Sequence, residues 1–195
     1  MKKSSMTLVN PCKYAFLILA LSLTACGQEK GNKESQPTAQ TESIAPDIDL
    51  NAAVMGGNLD AVQQHIKAGT DLNKKEALSG STPLITAITF EKDEIADALI
   101  DAGADLSIKN NDGSTALHVA AFFCRVESVQ KLIDAGADKT IKNNYGATAR
   151  ETITAPFEQM KPIYEMMQQQ LAPVGLQIDI AEVEKTRPVI AMMLQ

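Results

Sequence analysis

Three cysteines, two histidines and a scatter of serines are the residues of this 195-residue chain that could carry nucleophilic or metal chemistry. Cys12, Cys26 and Cys124 lie far apart, and neither His65 nor His118 has a Cys or His neighbour at the spacing a metal site uses. Ser81, Ser114 and Ser128 have no base in sequence positions that would let one take their proton. No glycine-rich loop opens a helix as a phosphate cradle would. Asn110-Asn111-Asp112-Gly113 has a faint look of a calcium loop, but it lacks the alternating acids and the distal Glu, and it reads as a turn. These residues point to a non-catalytic chain without metal, cofactor or small-molecule substrate.

One thiol has a context of its own. Lys2, Lys3 and Lys13 precede an apolar run from Tyr14 to Leu23, and no acid occurs before Glu29. A bilayer-spanning helix needs about 20 apolar residues, so this run is too short to span and has the order of a secretory signal. Its exit, Leu23-Thr24-Ala25-Cys26-Gly27, resembles the lipobox of bacterial lipoproteins. That resemblance implies that residues 1–25 are removed and that Cys26 becomes an acylated N-terminus. It further implies a chain held in the cell envelope, and Gly27, standing where an Asp would favour the inner membrane, points to the outer membrane facing the periplasm. One acyl chain gives only marginal membrane binding, whereas several make a firm anchor. Cys12 then leaves with the signal and Cys26 is a thioether. Cys124 stays alone, so no intramolecular disulfide can form.

Residues 26–46 follow as the lipidated Cys and a polar, aperiodic tether that buries too little apolar surface to fold. Its span is roughly 25 Å on average and at most about 70 Å. The whole chain carries a net charge of −6; without residues 1–25 it keeps 15 basic against 24 acidic groups, a net −9. An acidic domain repels phosphate backbones, so nucleic acid is not an expected partner.

Residues 47–170 repeat themselves. Leu50-Asn-Ala-Ala-Val54, Leu84-Ile-Thr-Ala-Ile88 and Leu117-His-Val-Ala-Ala121 align, with Gly69, Gly103 and Gly136 in step, at spacings of 34 and 33 residues. Thr82-Pro83 is an N-cap followed by a proline at the first helical position. Ala87 and Ala120 are small enough for helices to approach, and Val129, Leu132 and Ile133 form one helical stripe. Gly103 and Gly136 suit the left-handed stop of a helix. Each unit therefore reads as helix, turn, helix and a loop with a hairpin-like tip.

These residues resemble the ankyrin repeat: Thr82-Pro83-Leu84 and Thr115-Ala116-Leu117-His118 stand for its Thr-Pro-Leu-His motif, with Asp112-Gly113 and Gly136-Ala137-Asp138 in place. The expected fold is an all-α ankyrin-repeat solenoid of about four repeats, closed by a C-terminal helical cap at 171–195. The first and fourth repeats are degenerate. The outer helix of the fourth is expected from Ile163 to Gln170, after Pro156 and Pro162, and the cap as one or two short helices, whose alternative role is to dock a partner. The resemblance implies that His118 bonds a Thr hydroxyl and joins neighbouring repeats. His65, replacing a Leu of the sister repeats, is expected to face solvent. Cys124 is expected as a small residue in a helix–helix turn.

An ankyrin-like stack implies a protein partner bound by the loop tips and the exposed ends of the inner helices. Mapped here, the binding residues are Met55, Phe90, Phe122 and Phe123 on the helices and Asn111, Asp112 and Tyr145 on the tips. Only four Phe and two Tyr remain beyond the signal, and four of these six aromatics fall on this face; aromatics are enriched where binding energy concentrates. The alternative is that some fold back between the inner helices or against a neighbouring repeat. The expectation is a monomeric, tethered module that binds and regulates an envelope protein; the alternative function is a structural envelope component with no dedicated partner.

Overall fold

The protein is described here by a computed structural model covering residues 45–195. The readings placed on residues 1–44, including Cys26 and the signal, lie outside the described residues. Among those described there are eight α-helices and no strand: α1 (Leu50–Met55), α2 (Leu59–Lys67), α3 (Pro83–Thr89), α4 (Asp93–Asp101), α5 (Ala116–Phe122), α6 (Val126–Asp134), α7 (Phe157–Leu171) and α8 (Ile180–Met193). No described helix is long and apolar enough to cross a membrane.

The inner helices start where the sequence supplies a cap. Asp49 accepts the Asn51 amide at 2.9 Å, and Thr82 accepts the Ile85 amide at 3.3 Å with Pro83 behind it. The outer helices end in the same way each time: the amides after the last turn bond back to Ile66 and His65, Ile100 and Leu99, or Ile133 and Leu132. That pattern uses the left-handed glycine stop, which satisfies carbonyls the helix would otherwise leave open.

The pairs α1–α2, α3–α4 and α5–α6 stack into two layers, inner helix on inner helix and outer on outer. Ala53, Ala87 and Ala120 are fully buried at the closest approach, and Val62, Leu99, Val129 and Leu132 fill the space between layers. Fully burying each of the larger side chains contributes about 1.5–3 kcal/mol.

The stack ends differently from the expectation. The inner half of the fourth unit shrinks to a single 3-10 turn, Glu151–Ile153, packed on α5. The helix after Pro156 runs for 15 residues from Phe157 through Pro162, not from Ile163 alone. It does not take the outer place in the stack. α8 does, packing on α6, and it is one helix of 14 residues continuing through Pro188. Each internal proline removes one helical bond, to the carbonyl four residues earlier. Those carbonyls belong to Glu158 and Glu184, both exposed, where water can replace the lost donor.

His65 also corrects its expectation. It is buried, with Nε2 at 2.7 Å from the Ile48 carbonyl and Nδ1 at 3.1 Å from the Thr70 hydroxyl. An imidazole can fill a leucine-sized place if both nitrogens find partners, and here the two partners come from opposite ends of the first repeat.

Candidate functional site

The loop tips are the most repetitive polar feature of the protein. Each is closed by a backbone bond from the first residue to the last, Glu76 to Ser81, Asn110 to Ser114, and Asn143 to Ala147, all at 2.9 Å, and the second and third tips add a bond from the glycine amide back to Asn110 or Asn143 at 3.0 Å. In the second and third tips an asparagine side chain braces the turn. Asn110 Oδ1 accepts from the amides of Asp112 and Ser114 at 3.0 and 2.9 Å. Asn143 Oδ1 accepts from Tyr145 and Ala147 at 3.0 and 3.1 Å. In the first tip Glu76 takes this role, accepting from the amides of Leu78 and Ser79 and from the Ser79 hydroxyl. Those bonds, led by the Ser79 hydroxyl, hold the Glu76 carboxyl below the usual range.

The tips are joined into a ladder. The Asn111 amide donates to the Ser79 carbonyl at 2.9 Å, and its side-chain Nδ2 donates to Leu78 at 2.8 Å. One step on, the Asn144 amide donates to Asp112 at 3.0 Å and its Nδ2 to Asn111 at 2.9 Å. The glycine of each tip makes this approach possible. A Cβ at Gly80 or Gly113 would collide with the side-chain oxygen of Asn111 or Asn144.

His118 anchors the base of the tips. Its Nδ1 lies 2.8 Å from the Thr115 hydroxyl, and its Nε2 lies 3.1 Å from the carbonyl of Ala147 in the next unit. Burial, above all, lowers its pKa, so the neutral ring is favoured, with Nε2–H as the donor to Ala147.

The expected binding residues divide into two groups. Asn111, Asp112 and Tyr145 stand exposed on the tips, and Met55 is 40 % exposed at the end of α1. Phe90 is half-buried. Phe122 and Phe123 correct the mapped patch: they belong to the packing of the C-terminal cap. Phe123 is only 5 % exposed and meets Phe122 edge-on at 5.1 Å. Phe122 is covered by Tyr164 of α7, ring centroids 4.7 Å apart, and the Tyr164 hydroxyl donates to the Phe122 carbonyl at 2.7 Å. The physical reason is α7 itself, which brings apolar surface to the ends of α5 that an uninterrupted repeat would leave open. The four aromatics therefore do not form one exposed patch.

Sequence reasoning missed two residues that matter here. Leu78, 90 % exposed, occupies the position on the first tip that asparagine holds on the next two. A 33-residue count from Asn111 would have found it. Arg187 of α8 is buried, donates to the carbonyls of Ile153 and Ala155 and to the Tyr164 hydroxyl, and lies over the Phe157 ring at 5.8 Å. Nothing in its sequence neighbourhood marks it.

A cleft of about 820 Å³ opens beside the α5–α6 turn, lined among others by Glu91, Cys124, Arg125, Asp179 and Glu182. Arg125 bridges its walls, with Nη1 2.7 Å from Glu91 and Nη2 donating to the Gln177 carbonyl at 3.2 Å. Cys124 sits in the turn as expected, with φ at 55°. Burial pushes its thiol up to about 11, which keeps it protonated and a poor nucleophile. Among the described residues no group of three His, Cys, Asp or Glu is placed to hold a metal ion.

Comparison with known proteins agrees with this geometry. A family model for ankyrin repeats matches residues 50–143 in three copies. Among solved structures, the chain is similar to the ankyrin repeat domain of Bcl-3, described as a unique member of the IkappaB protein family. The identity is 29 %, the TM-score 0.51, and the match covers 53 % of this chain and 45 % of that one. The match thus spans less than half of that solved chain. No curated protein sequence matches.

Proposed function

Residues 50–143 are ankyrin repeats, a protein-interaction fold, and from that premise we propose that the chain is a non-catalytic binding module tethered to the cell envelope. The tether is the acylated Cys26, the compartment is the periplasmic face of the outer membrane, and the task is to regulate an envelope protein by binding it. One observation carries the binding part: the tips form an exposed row, and it bears two large apolar side chains, Leu78 and Tyr145, 90 % and 79 % exposed. Scattered surface apolar residues are ordinary, but these two flank the polar, self-braced rungs Asn111 and Asp112, which combines anchoring groups with fixed polar ones.

The test is a crosslinked pull-down from envelope extract comparing the wild-type chain with Leu78→Ser/Tyr145→Ser. Both side chains are too exposed to support the fold, so stability should change by no more than about 0.5 kcal/mol. Capture of one stoichiometric partner by the wild type should fall roughly tenfold or more in the double variant. Equal capture by both removes the tips from the binding surface, and no specific capture by either favours a structural envelope role.

Anchoring has its own check. Cys26→Ser should abolish labelling of the chain by a fatty-acid analogue. A variant that is still labelled would exclude Cys26 as the acylated residue.

A further inference from the structure

The tip ladder has two ends, and they are chemically different. At each internal step the incoming tip gives two donors, a backbone amide and an asparagine Nδ2, to two consecutive carbonyls of the preceding tip. At the first tip the amides of Leu78 and Ser79 are already taken by Glu76, and Leu78 replaces the asparagine. That end is closed. At the last tip the carbonyls of Asn144 and Tyr145, the counterparts of the Asn111–Asp112 pair, accept no bond among the described residues. Asn144, Tyr145 and Gly146 are all exposed. Gly146, with φ at 76°, has nothing within 4 Å of where a Cβ would stand, whereas Gly80 and Gly113 are each covered by the next asparagine.

We infer that this open end is a docking site for an asparagine-bearing turn of a partner protein, received as the chain receives its own tips. The inference rests on the protein-binding reading and names the chemistry of one contact within it. The occupant must supply a free backbone amide and a primary amide side chain with a donor geometry matching two adjacent carbonyls. The first tip of a second copy supplies neither, since Glu76 holds its amides and Leu78 has no donor, so head-to-tail association of this chain is not what the end accommodates. The Tyr145 ring, at the rim of the same rung, offers the incoming turn an apolar surface.

The probe is a disulfide-closed peptide carrying Ile108 to Thr115 of this chain, titrated into the isotope-labelled full chain and read by amide resonances. The expected result is a saturable shift at Asn144–Ala147, weakened about tenfold when leucine replaces the peptide's second asparagine, as losing one hydrogen bond to a carbonyl implies. In Gly146→Ala of the full chain the new Cβ occupies the place of the incoming asparagine, and the shift should vanish while the rest of the spectrum persists. Should that variant not fold, the asparagine-to-leucine peptide on the wild type decides alone. No shift at Asn144–Ala147, an equal shift with the leucine peptide, or unchanged binding by a folded Gly146→Ala overturns the inference. A wild-type chain that captures its envelope partner yet ignores the peptide overturns this inference and leaves the binding module standing.

Discussion

Replacing Tyr164 by alanine should lower the unfolding free energy by about 4 kcal/mol, the range for deleting a large, fully buried aromatic. The ring is 0 % exposed, packed on Phe122 and stacked with Phe157 at 6.4 Å. Its hydroxyl is held between the Phe122 carbonyl and Arg187, and burial pushes its pKa up to about 12, so it remains a donor at any physiological pH. Tyr164→Phe separates the two contributions: it keeps the packing and loses only the hydroxyl, and should cost about 1 kcal/mol. Urea unfolding of both variants measures the difference. If alanine and phenylalanine cost the same, the hydroxyl and not the ring holds α7 to α5. If neither costs more than a surface substitution, α7 does not cover Phe122 in solution.

His118→Ala should cost about 3 kcal/mol, because the part-buried Ala147 carbonyl loses its donor and the buried Thr115 hydroxyl its partner. The wild type should also show a pH signature that the variant lacks. Burial lowers the folded-state pKa of His118 from 6.5, so in the window below 6.5 the unfolded chain binds more protons than the folded one. Stability is then full above about pH 6.5 and declines as pH falls toward the folded value. The exposed carboxylates whose pKa values are lowered by hydrogen bonds, such as Asp105 and Asp138, act in the same direction but only below the ordinary aspartate value of 3.8. Melting temperature followed between pH 7.5 and 5 separates them: a decline that persists unchanged in His118→Ala would rule His118 out as its source.

The inner repeats were readable because their local chemistry and their packing agree. Thr82-Pro83, the small Ala87 and Ala120, and the glycine stops each state a local preference that the stack also requires, and α3 to α6 follow. The ends were less legible for a shared reason: there the local signal and the packing diverge. Pro156 and Pro162 read as breakers, yet Pro162 sits inside α7, where the orphaned carbonyl belongs to an exposed residue. His65 reads as polar and outward, yet two hydrogen-bond partners converge on it, the Ile48 carbonyl and the Thr70 hydroxyl. Phe122 and Phe123 sit at positions that an ankyrin stack usually exposes. Only the arrival of Tyr164, from 42 residues away, makes them interior. The tips show the opposite case. Asn111, Asp112 and Tyr145 lie on the surface where the mapping put them, because a turn declares itself over four residues and needs no distant partner.

The placement of α7 has a consequence for the order in which the molecule assembles. In the first three repeats an inner helix meets its outer partner after a turn of a few residues, and such local closures are fast. The last unit is divided: its 3-10 turn ends at Ile153, and the helix that completes the outer layer starts at Ile180, with all of α7 in between. Closing that longer loop carries a larger entropic cost before any contact rewards it. A chain delivered amino-terminus first therefore lays down three repeats while the open side of α6 is still wet, and it is sealed only when residues 180–193 arrive. In the native state the same seam is the first to part, so amide exchange in α8 should run ahead of that in α3 and α5.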